Sequence, residues 1–195
     1  LIWGSFPIII SVLGSFATAD EIVGWRIIFG FVMAVILLTA TRTWGTILPV
    51  IRDKKSLTWM LVSTVMIMIN WWVYVIGVAS GRIIESSLGY FINPLVTIAL
   101  AVIFLKEKLR PLQWVAVSFG AVAVTVLTFD YGHLPWIALS LAFSFGVYGL
   151  AKNKVGGKIA PLTGYAIESG FLTPIAIIQL SFVAATVPGI QFDQH

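Results

Sequence analysis

The chain consists of long apolar stretches separated by short polar segments. Apolar runs bounded by charged residues, Gly and Pro predict seven membrane-spanning helices, at residues 1–17, 22–41, 59–80, 83–105, 111–129, 134–151 and 161–187. Most of these runs approach the roughly 20 residues that an α-helix needs to cross a hydrocarbon core. The connections are mostly too short to fold separately, so the pattern predicts an all-α, polytopic membrane protein built as one helical bundle.

Composition and charge agree with this pattern. Of the 195 residues, 59% are hydrophobic and 10% are charged, whereas soluble domains carry about 25% charged residues. Ten of the 12 Lys and Arg residues lie in the second, fourth and sixth connections, so the positive-inside rule places these even-numbered loops in the cytoplasm. Because the basic residues occupy three separate loops, the net charge of +4 reflects topology and does not indicate a nucleic-acid partner.

Side chains and motifs that carry catalysis are scarce. The chain has no Cys and two His, and it lacks a phosphate-binding Gly-rich loop, a His-Glu-x-x-His pair and a G-x-S-x-G turn. The sequence therefore predicts no catalytic residue, no metal site, no cofactor and no ATP-driven transport within this chain. We expect a protein that is not an enzyme.

Three charged residues, Arg26, Glu85 and Glu168, fall inside predicted spans. An ionisable group at such depth is costly unless it is paired, neutralised or hydrated, so it indicates a cavity-facing functional position or a fixed ion pair between helices. Arg26 and Glu85 lie at similar depth below the same face, and we expect them to pair. Glu168 lies deeper from the opposite face without a visible neutralising residue, so we predict that it carries a proton or meets a cationic substrate.

Polar groups also occur at the predicted midplane. Asn70 and Asn93 each lie about 15 Å along their helices, half the thickness of a hydrocarbon core, and can face one central space. Pro94 has no N–H, so it is expected to kink the fourth helix and leave the Tyr90 carbonyl available to a solute. The alternative is that both amides only hydrogen-bond between helices. Aromatic side chains that could line this space are Trp71, Trp72, Tyr90, Phe91 and Tyr148.

The chain shows a weak internal repeat. A shift of 142 residues aligns Gly14 with Gly156, Phe29 with Phe171, and Arg26 with Glu168. It maps the first span onto the sixth and the second onto the seventh. A displacement of an odd number of helices inverts the topology, which is how many secondary transporters are built. We therefore expect a five-helix repeat at residues 1–130, with a truncated start, and the first two helices of a second repeat at residues 131–195.

Several stretches carry a resemblance to a known family. Residues 93–95 (NPL), 104–109 (FLKEKL) and 113–114 (QW) resemble the fourth and fifth helices of an EamA domain in the drug/metabolite transporter superfamily. The strings 85–95 (ESSLGYFINPL) and 142–150 (AFSFGVYGL) are similar to the RarD-type permeases of that superfamily.

The resemblance implies ten helices in two inverted repeats, so the chain is expected to be a fragment that lacks about three C-terminal helices. It also implies a multi-pass permease of the bacterial cytoplasmic membrane, from a family associated by name with chloramphenicol sensitivity. The cavity or gating positions that it implies are Trp3, Arg26, Asn70, Glu85, Tyr90, Asn93, Tyr148 and Glu168.

The leading hypothesis is a secondary transporter that moves a small metabolite or drug by alternating access through a midplane cavity. Its partners are the lipid bilayer and a small-molecule substrate, and a proton is the coupling ion that Glu168 suggests. A channel, a membrane-embedded enzyme acting on lipid-linked substrates, and a non-transporting membrane scaffold or sensor are the alternatives. The residues give no substrate identity, transport direction or oligomeric state.

Overall fold

The computed structural model describes residues 8–10, 12–13, 17–106, 108, 110–131 and 134–186. Its helices are α1 (Ala19–Thr41), α2 (Ile47–Arg52), α3 (Lys54–Ala79), α4 (Ile83–Leu105), α5 (Pro111–Tyr131), α6 (Trp136–Gly156) and α7 (Pro161–Thr186), with a 3-10 turn at Trp44–Thr46. This part of the chain contains no strand. The predicted all-α class is confirmed.

The long helices follow the predicted spans in order. Helices α1, α3, α4 and α7 are long and apolar enough to cross a bilayer. Helices α5 and α6 occupy the places predicted for the fifth and sixth spans. Of the predicted first span, residues 8–10 and 12–13 are helical, residue 17 lies in a bend, and the rest lies outside the described residues. The chain is therefore a polytopic helical membrane protein.

Two predicted boundaries are wrong by about one helical turn. Helix α3 begins at Lys54 rather than residue 59, and Asp53 caps it by accepting a hydrogen bond from the Lys55 N–H at 3.2 Å. Helix α6 continues to Gly156 rather than ending at residue 151, which places Lys152 within the helix. An apolar run marks the part of a helix in hydrocarbon, whereas capping and a favourable cation near the C-terminus extend the helix beyond it.

Helix α6 lies between α3 and α4, and small residues permit this close packing. A Cβ at Gly89 of α4 would lie 2.8 Å from Leu141 Cβ of α6, so only Gly fits there. Gly77 and Gly81 form a small-xxx-small pattern that predicts internal helix packing. A Cβ at Gly77 would lie 3.2 Å from Ile137 Cγ2 of α6, whereas Gly81 forms the turn after α3 with φ +74°.

Helices α1 and α7, which the 142-residue shift relates, pack against each other. Gly24 lies against Leu180, and Leu38 shares a core cluster with Ala166. These pairs run in opposite directions along the two helices, so the packing is antiparallel. The 142-residue shift relates Gly24 to Ala166 and Leu38 to Leu180. It therefore converts the first pair into the second, as a two-fold axis between the helices requires. The division of the chain near residue 130 stays a prediction.

Candidate functional site

Glu168 of α7 is buried and has polar partners on two other helices. Its Oε1 accepts a hydrogen bond from Ser63 Oγ of α3 at 2.5 Å. The same oxygen lies 2.9 Å from Lys152 Nζ of α6. The Glu168 side chain is 5% exposed and that of Lys152 is 29% exposed. One carboxylate oxygen therefore joins α3, α6 and α7.

The expectation that nothing neutralises Glu168 is wrong. It counted Lys152 as a loop residue, but α6 continues past this position. The long aliphatic stem of Lys152 then brings its ammonium group to the carboxylate inside the bundle. A carboxylate that already pairs with an ammonium group attracts a cationic substrate less than an isolated one would.

A cavity of about 290 Å³ opens beside this ion pair. Its polar and aromatic wall consists of Tyr148, Lys152, Tyr165 and Glu168. Lys152 Nζ lies 5.5 Å from the centre of the Tyr148 ring, within the range of a cation–π interaction. The remaining lining residues are Met60, Val155, Gly156, Ile159, Ala160, Pro161 and Gly164. This arrangement can hold a small molecule beside a paired charge.

Glu85 forms a second buried cluster, at the opposite end of α6. Its Oε2 lies 2.7 Å from Arg82 Nη2, and its Oε1 accepts a hydrogen bond from the Ile137 N–H at 3.0 Å. Ile137 lies in the first turn of α6, where N–H groups lack helical partners and favour a carboxylate. The expected Arg26–Glu85 pair is therefore wrong: Glu85 pairs with the arginine three residues before it.

Arg26 of α1 stacks on one aromatic ring and lies within electrostatic range of three tyrosines. Its guanidinium carbon lies 4.4 Å from the centre of a Trp71 ring, a cation–π contact. Tyr74, Tyr90 and Tyr165 lie close enough to interact with it electrostatically. The rings of Tyr74 and Tyr90 meet edge to face, with centres 5.8 Å apart. The fold thus brings the predicted residues Arg26, Trp71 and Tyr90 together.

The two predicted midplane amides have different partners. Asn70 is buried, and its Nδ2 donates to the Leu141 carbonyl at 3.0 Å and to Ser144 Oγ at 3.1 Å, both on α6. Asn93 Oδ1 accepts a hydrogen bond from Thr97 Oγ1 of its own helix at 3.2 Å. Asn70 therefore makes the interhelical bond that was the alternative to solute binding.

The remaining predicted positions are Pro94, Trp72 and Trp3. Helix α4 continues through Pro94, which is exposed, and Pro94 has no N–H to donate to the Tyr90 carbonyl. The indole N–H of Trp72 is buried without a hydrogen-bond partner among the described residues. Trp3 lies outside those residues.

Four residues of these clusters were missed by sequence reasoning: Ser63, Arg82, Lys152 and Tyr165. A signal existed for Arg82, because residues three apart on a helix are neighbours, and for Lys152, which lies four residues after Tyr148 on the same helical face. Ser63 has no such signal, since Glu168 is 105 residues away. Tyr165 likewise meets Arg26 only through the packing of α7 on α1.

Residues 1–129 match the EamA-like transporter family. The chain is 39% identical over 191 residues to "Uncharacterized transporter YojE" of Bacillus subtilis (strain 168), which covers 96% of the chain and 63% of that relative. It is 39% identical over 183 residues to "Protein RarD" of Escherichia coli (strain K12), covering 94% and 61%. It is 27% identical over 164 residues to "Chloramphenicol-sensitive protein RarD" of Pseudomonas aeruginosa, covering 82% and 54%. No solved structure matches the chain.

These alignments differ in how much of each protein they include. They cover nearly all of this chain, whereas the chain spans only 61–63% of the length of its Bacillus and Escherichia relatives. The family match and the relatives therefore identify the family of this chain.

Proposed function

The chain belongs to the EamA-like transporter family, and from that premise we propose that it acts as a secondary transporter for a small metabolite or drug. Transport takes place by alternating access, as two inverted halves rock about a central cavity. The protein is a multi-pass protein of a bacterial inner membrane. The Bacillus relative is named a transporter, and the Pseudomonas relative is named for chloramphenicol sensitivity, which is a property of that relative.

The observation that carries this proposal is the pair of buried ionic clusters near the two ends of α6. Glu85 binds the Ile137 N–H at one end, and Glu168 binds Lys152 at the other. Lys152 lies 15 positions after Ile137, which corresponds to about 22 Å of helix, so the clusters lie toward opposite faces of a bilayer. Buried charges are costly in a membrane bundle, so a charged cluster at each end favours functional positions.

Each cluster also links the two predicted repeats. The hydrogen bond from Ile137 to Glu85 joins α6 to α4, and the hydrogen bond from Ser63 to Glu168 joins α3 to α7. A rocking motion that opens one end of the bundle breaks one of these bonds and preserves the other. We assign Glu85 and Glu168 as gates on this ground.

Glu168 is also the residue to which we assign proton coupling. It carries a buried carboxylate beside the 290 Å³ cavity, and its charge strengthens the hydrogen bond from Ser63 that joins the two predicted repeats. A proton on Glu168 would remove this charge and weaken the closed gate. Coupling and gating then use the same carboxylate.

The test of transport uses the full-length protein in proteoliposomes. Metabolites that change in abundance between cells with and without the protein supply the candidate solutes. We expect saturable counterflow of at least one of them, and accumulation under an imposed pH gradient that Glu168→Gln abolishes. Uptake without counterflow would identify a pore, and a covalently changed solute would identify an enzyme. Either result would overturn the proposal.

The gates are tested by cysteine accessibility, because this chain contains no Cys of its own. Gly156 lines the cavity and has open space at its Cβ position, so Gly156→Cys fits there. In a full-length background without other cysteines, Glu168→Gln should increase labelling of this position by a membrane-impermeant maleimide, and Glu85→Gln should decrease it. Lys55→Gln is the control. Changes in the same direction for both gate variants would contradict the assignment.

A further inference from the structure

A second cavity, of about 380 Å³, lies between the first predicted span and α1, and Arg26 is one of its lining residues. We propose that this Arg26 cavity is the counterpart of the 290 Å³ Glu168 cavity, that the two open alternately, and that they take an uncharged solute with an apolar body. This inference rests on the proposed function and specifies where the solute binds and which class of solute it is.

The two cavities are related by the same 142-residue shift that relates α1 to α7. Each is lined by two positions three residues apart in one helix, by a residue in the following bend, and by two positions four residues apart in the next helix. The corresponding pairs are Ile10 and Lys152, Leu13 and Val155, Ala17 and Ile159, Ile22 and Gly164, and Arg26 and Glu168. The same faces of equivalent helices therefore form a cavity in both predicted repeats.

The cavities lie on opposite sides of the point where the antiparallel helices α1 and α7 meet. Gly24 lies against Leu180, which places Arg26 at about the level of Ile178. Ile178 follows Glu168 by about ten residues, or about 15 Å of helix. One cavity therefore lies toward each face of a bilayer.

Close contacts between α1 and α7 lie between the two levels. The Tyr165 hydroxyl lies against Gly30, and a Cβ at Gly170 would lie 3.3 Å from Phe31 Cε2. The two helices belong to different predicted repeats, so a rocking motion of one repeat against the other changes these contacts and both cavities together. Two separate cavities at opposite ends suit alternate opening.

The walls of the Arg26 cavity are apolar and aromatic. Trp25 and Phe29 stack with their ring centres 5.7 Å apart, and their side chains are exposed. The other apolar lining residues are Ile9, Ile10, Leu13, Ala17, Ile22 and Val75. Such walls suit the apolar body of a small molecule.

Each cavity contains one acidic and one basic side chain, and all four interact within the protein. In the Glu168 cavity, Glu168 pairs with Lys152. In the Arg26 cavity, Glu21 belongs to the capping box of α1 and Arg26 stacks on Trp71. A charged solute would lose its hydration and meet a like charge as well as an opposite one. A neutral solute avoids both costs.

Access to the Arg26 cavity is tested by cysteine labelling in full-length protein without other cysteines. Leu13 lines the cavity and is 43% exposed, so Leu13→Cys reports on it. In membrane vesicles, an impermeant maleimide should label Leu13→Cys from one side and Gly156→Cys from the other. Glu168→Gln should decrease the labelling of Leu13→Cys and Glu85→Gln should increase it, which is the reverse of the changes at Gly156→Cys.

Val32→Cys is the control for this experiment, because Val32 is exposed near the middle of α1 outside the cavity. It should not react with a reagent confined to water. The inference is overturned if Leu13→Cys stays unlabelled in both the wild-type and Glu85→Gln backgrounds, since lipid or the rest of the full-length protein would then fill the cavity. Labelling of Leu13→Cys and Gly156→Cys from the same side would overturn it as well.

The solute class is tested by equilibrium dialysis on the purified full-length protein. The probes are benzamide, benzoate and benzylammonium, which share one ring and differ in charge. We expect the neutral amide to bind about 10-fold more tightly than either ion, a difference of about 1.4 kcal/mol. Binding of either ion that equals or exceeds that of the amide would overturn the class.

A cavity-filling variant tests where the solute binds. In the Glu85→Gln background, which favours the open Arg26 cavity, Ala17→Phe adds a ring to the cavity and should lower the affinity for benzamide about 10-fold or more. Ala40→Phe makes the same change at an exposed position of α1 and should leave the affinity unchanged. If Ala17→Phe does not fold, Leu13→Trp decides. Unchanged affinity in the folded cavity variant would overturn the placement.

The outcomes also separate this inference from the proposed function. If Gly156→Cys responds to the gate variants while Leu13→Cys does not, the transporter stands and the Arg26 cavity is overturned. If benzamide binding depends on Ala17 but no solute shows counterflow, the binding cavity stands and the transporter is overturned.

Discussion

Lys152 and Glu168 form a buried ion pair, and of the single changes to this pair Lys152→Met should destabilise the protein most. It leaves the Glu168 carboxylate, which is 5% exposed, with Ser63 as a remaining polar partner. An uncompensated buried charge of this kind costs about 3–5 kcal/mol, or a fall in melting temperature on the order of 10 °C. Glu168→Gln should cost less, because Lys152 is 29% exposed and its ammonium group can turn toward water.

The measurement is thermal unfolding in detergent, followed by intrinsic Trp fluorescence. Lys152→Met, Glu168→Gln and the double variant are compared with Lys154→Met, which changes an exposed lysine two residues further along α6. The double variant should be more stable than Lys152→Met alone, since it removes the charge that the single change exposes. Equal stability of Lys152→Met and Lys154→Met, or a double variant as unstable as the two losses added together, would refute the reasoning.

Two further predictions concern helix packing and capping. Gly89→Ala should cost about 1–3 kcal/mol, since the new Cβ would lie 2.8 Å from Leu141 Cβ, whereas Gly149→Ala, with open space at that position, should cost nothing in the same melts. The Ser56 hydroxyl holds the pKa of Asp53 below its usual value. The cap therefore contributes fully above the ordinary pKa of about 3.9 and is lost as pH falls through the lowered value, so Asp53→Ala should lower the melting temperature at pH 7 but not in strong acid.

Hydropathy was a reliable guide to the spans but not to their ends. The apolar run beginning near residue 59 identifies α3, yet the helix begins at Lys54 because Asp53 caps it. Helix α6 likewise continues beyond the end of its apolar run, and this extension determines the environment of Glu168. Once Lys152 is within the helix, it can reach the carboxylate, and no count of apolar residues shows this.

In the candidate site, the sequence identified the charged residues but not their partners. Arg26, Glu85 and Glu168 could be recognised as important because charges are rare in membrane helices. Their partners could not be recognised, since Ser63 and Glu168 are 105 residues apart and an isolated Ser in a helix has no distinguishing pattern. The expected Arg26–Glu85 pair failed because depth along separate helices does not define which faces meet.

The sequence by itself determined the all-α class, the order of the spans and the family. These depend on local hydrophobicity and on strings such as residues 85–95, which are read along the chain. Only the tertiary structure decided that Arg82 pairs with Glu85, that Lys152 pairs with Glu168 and that Arg26 stacks on Trp71. The physical reason is that burial makes a polar group require a partner, while helix rotation and packing determine which partner is within reach.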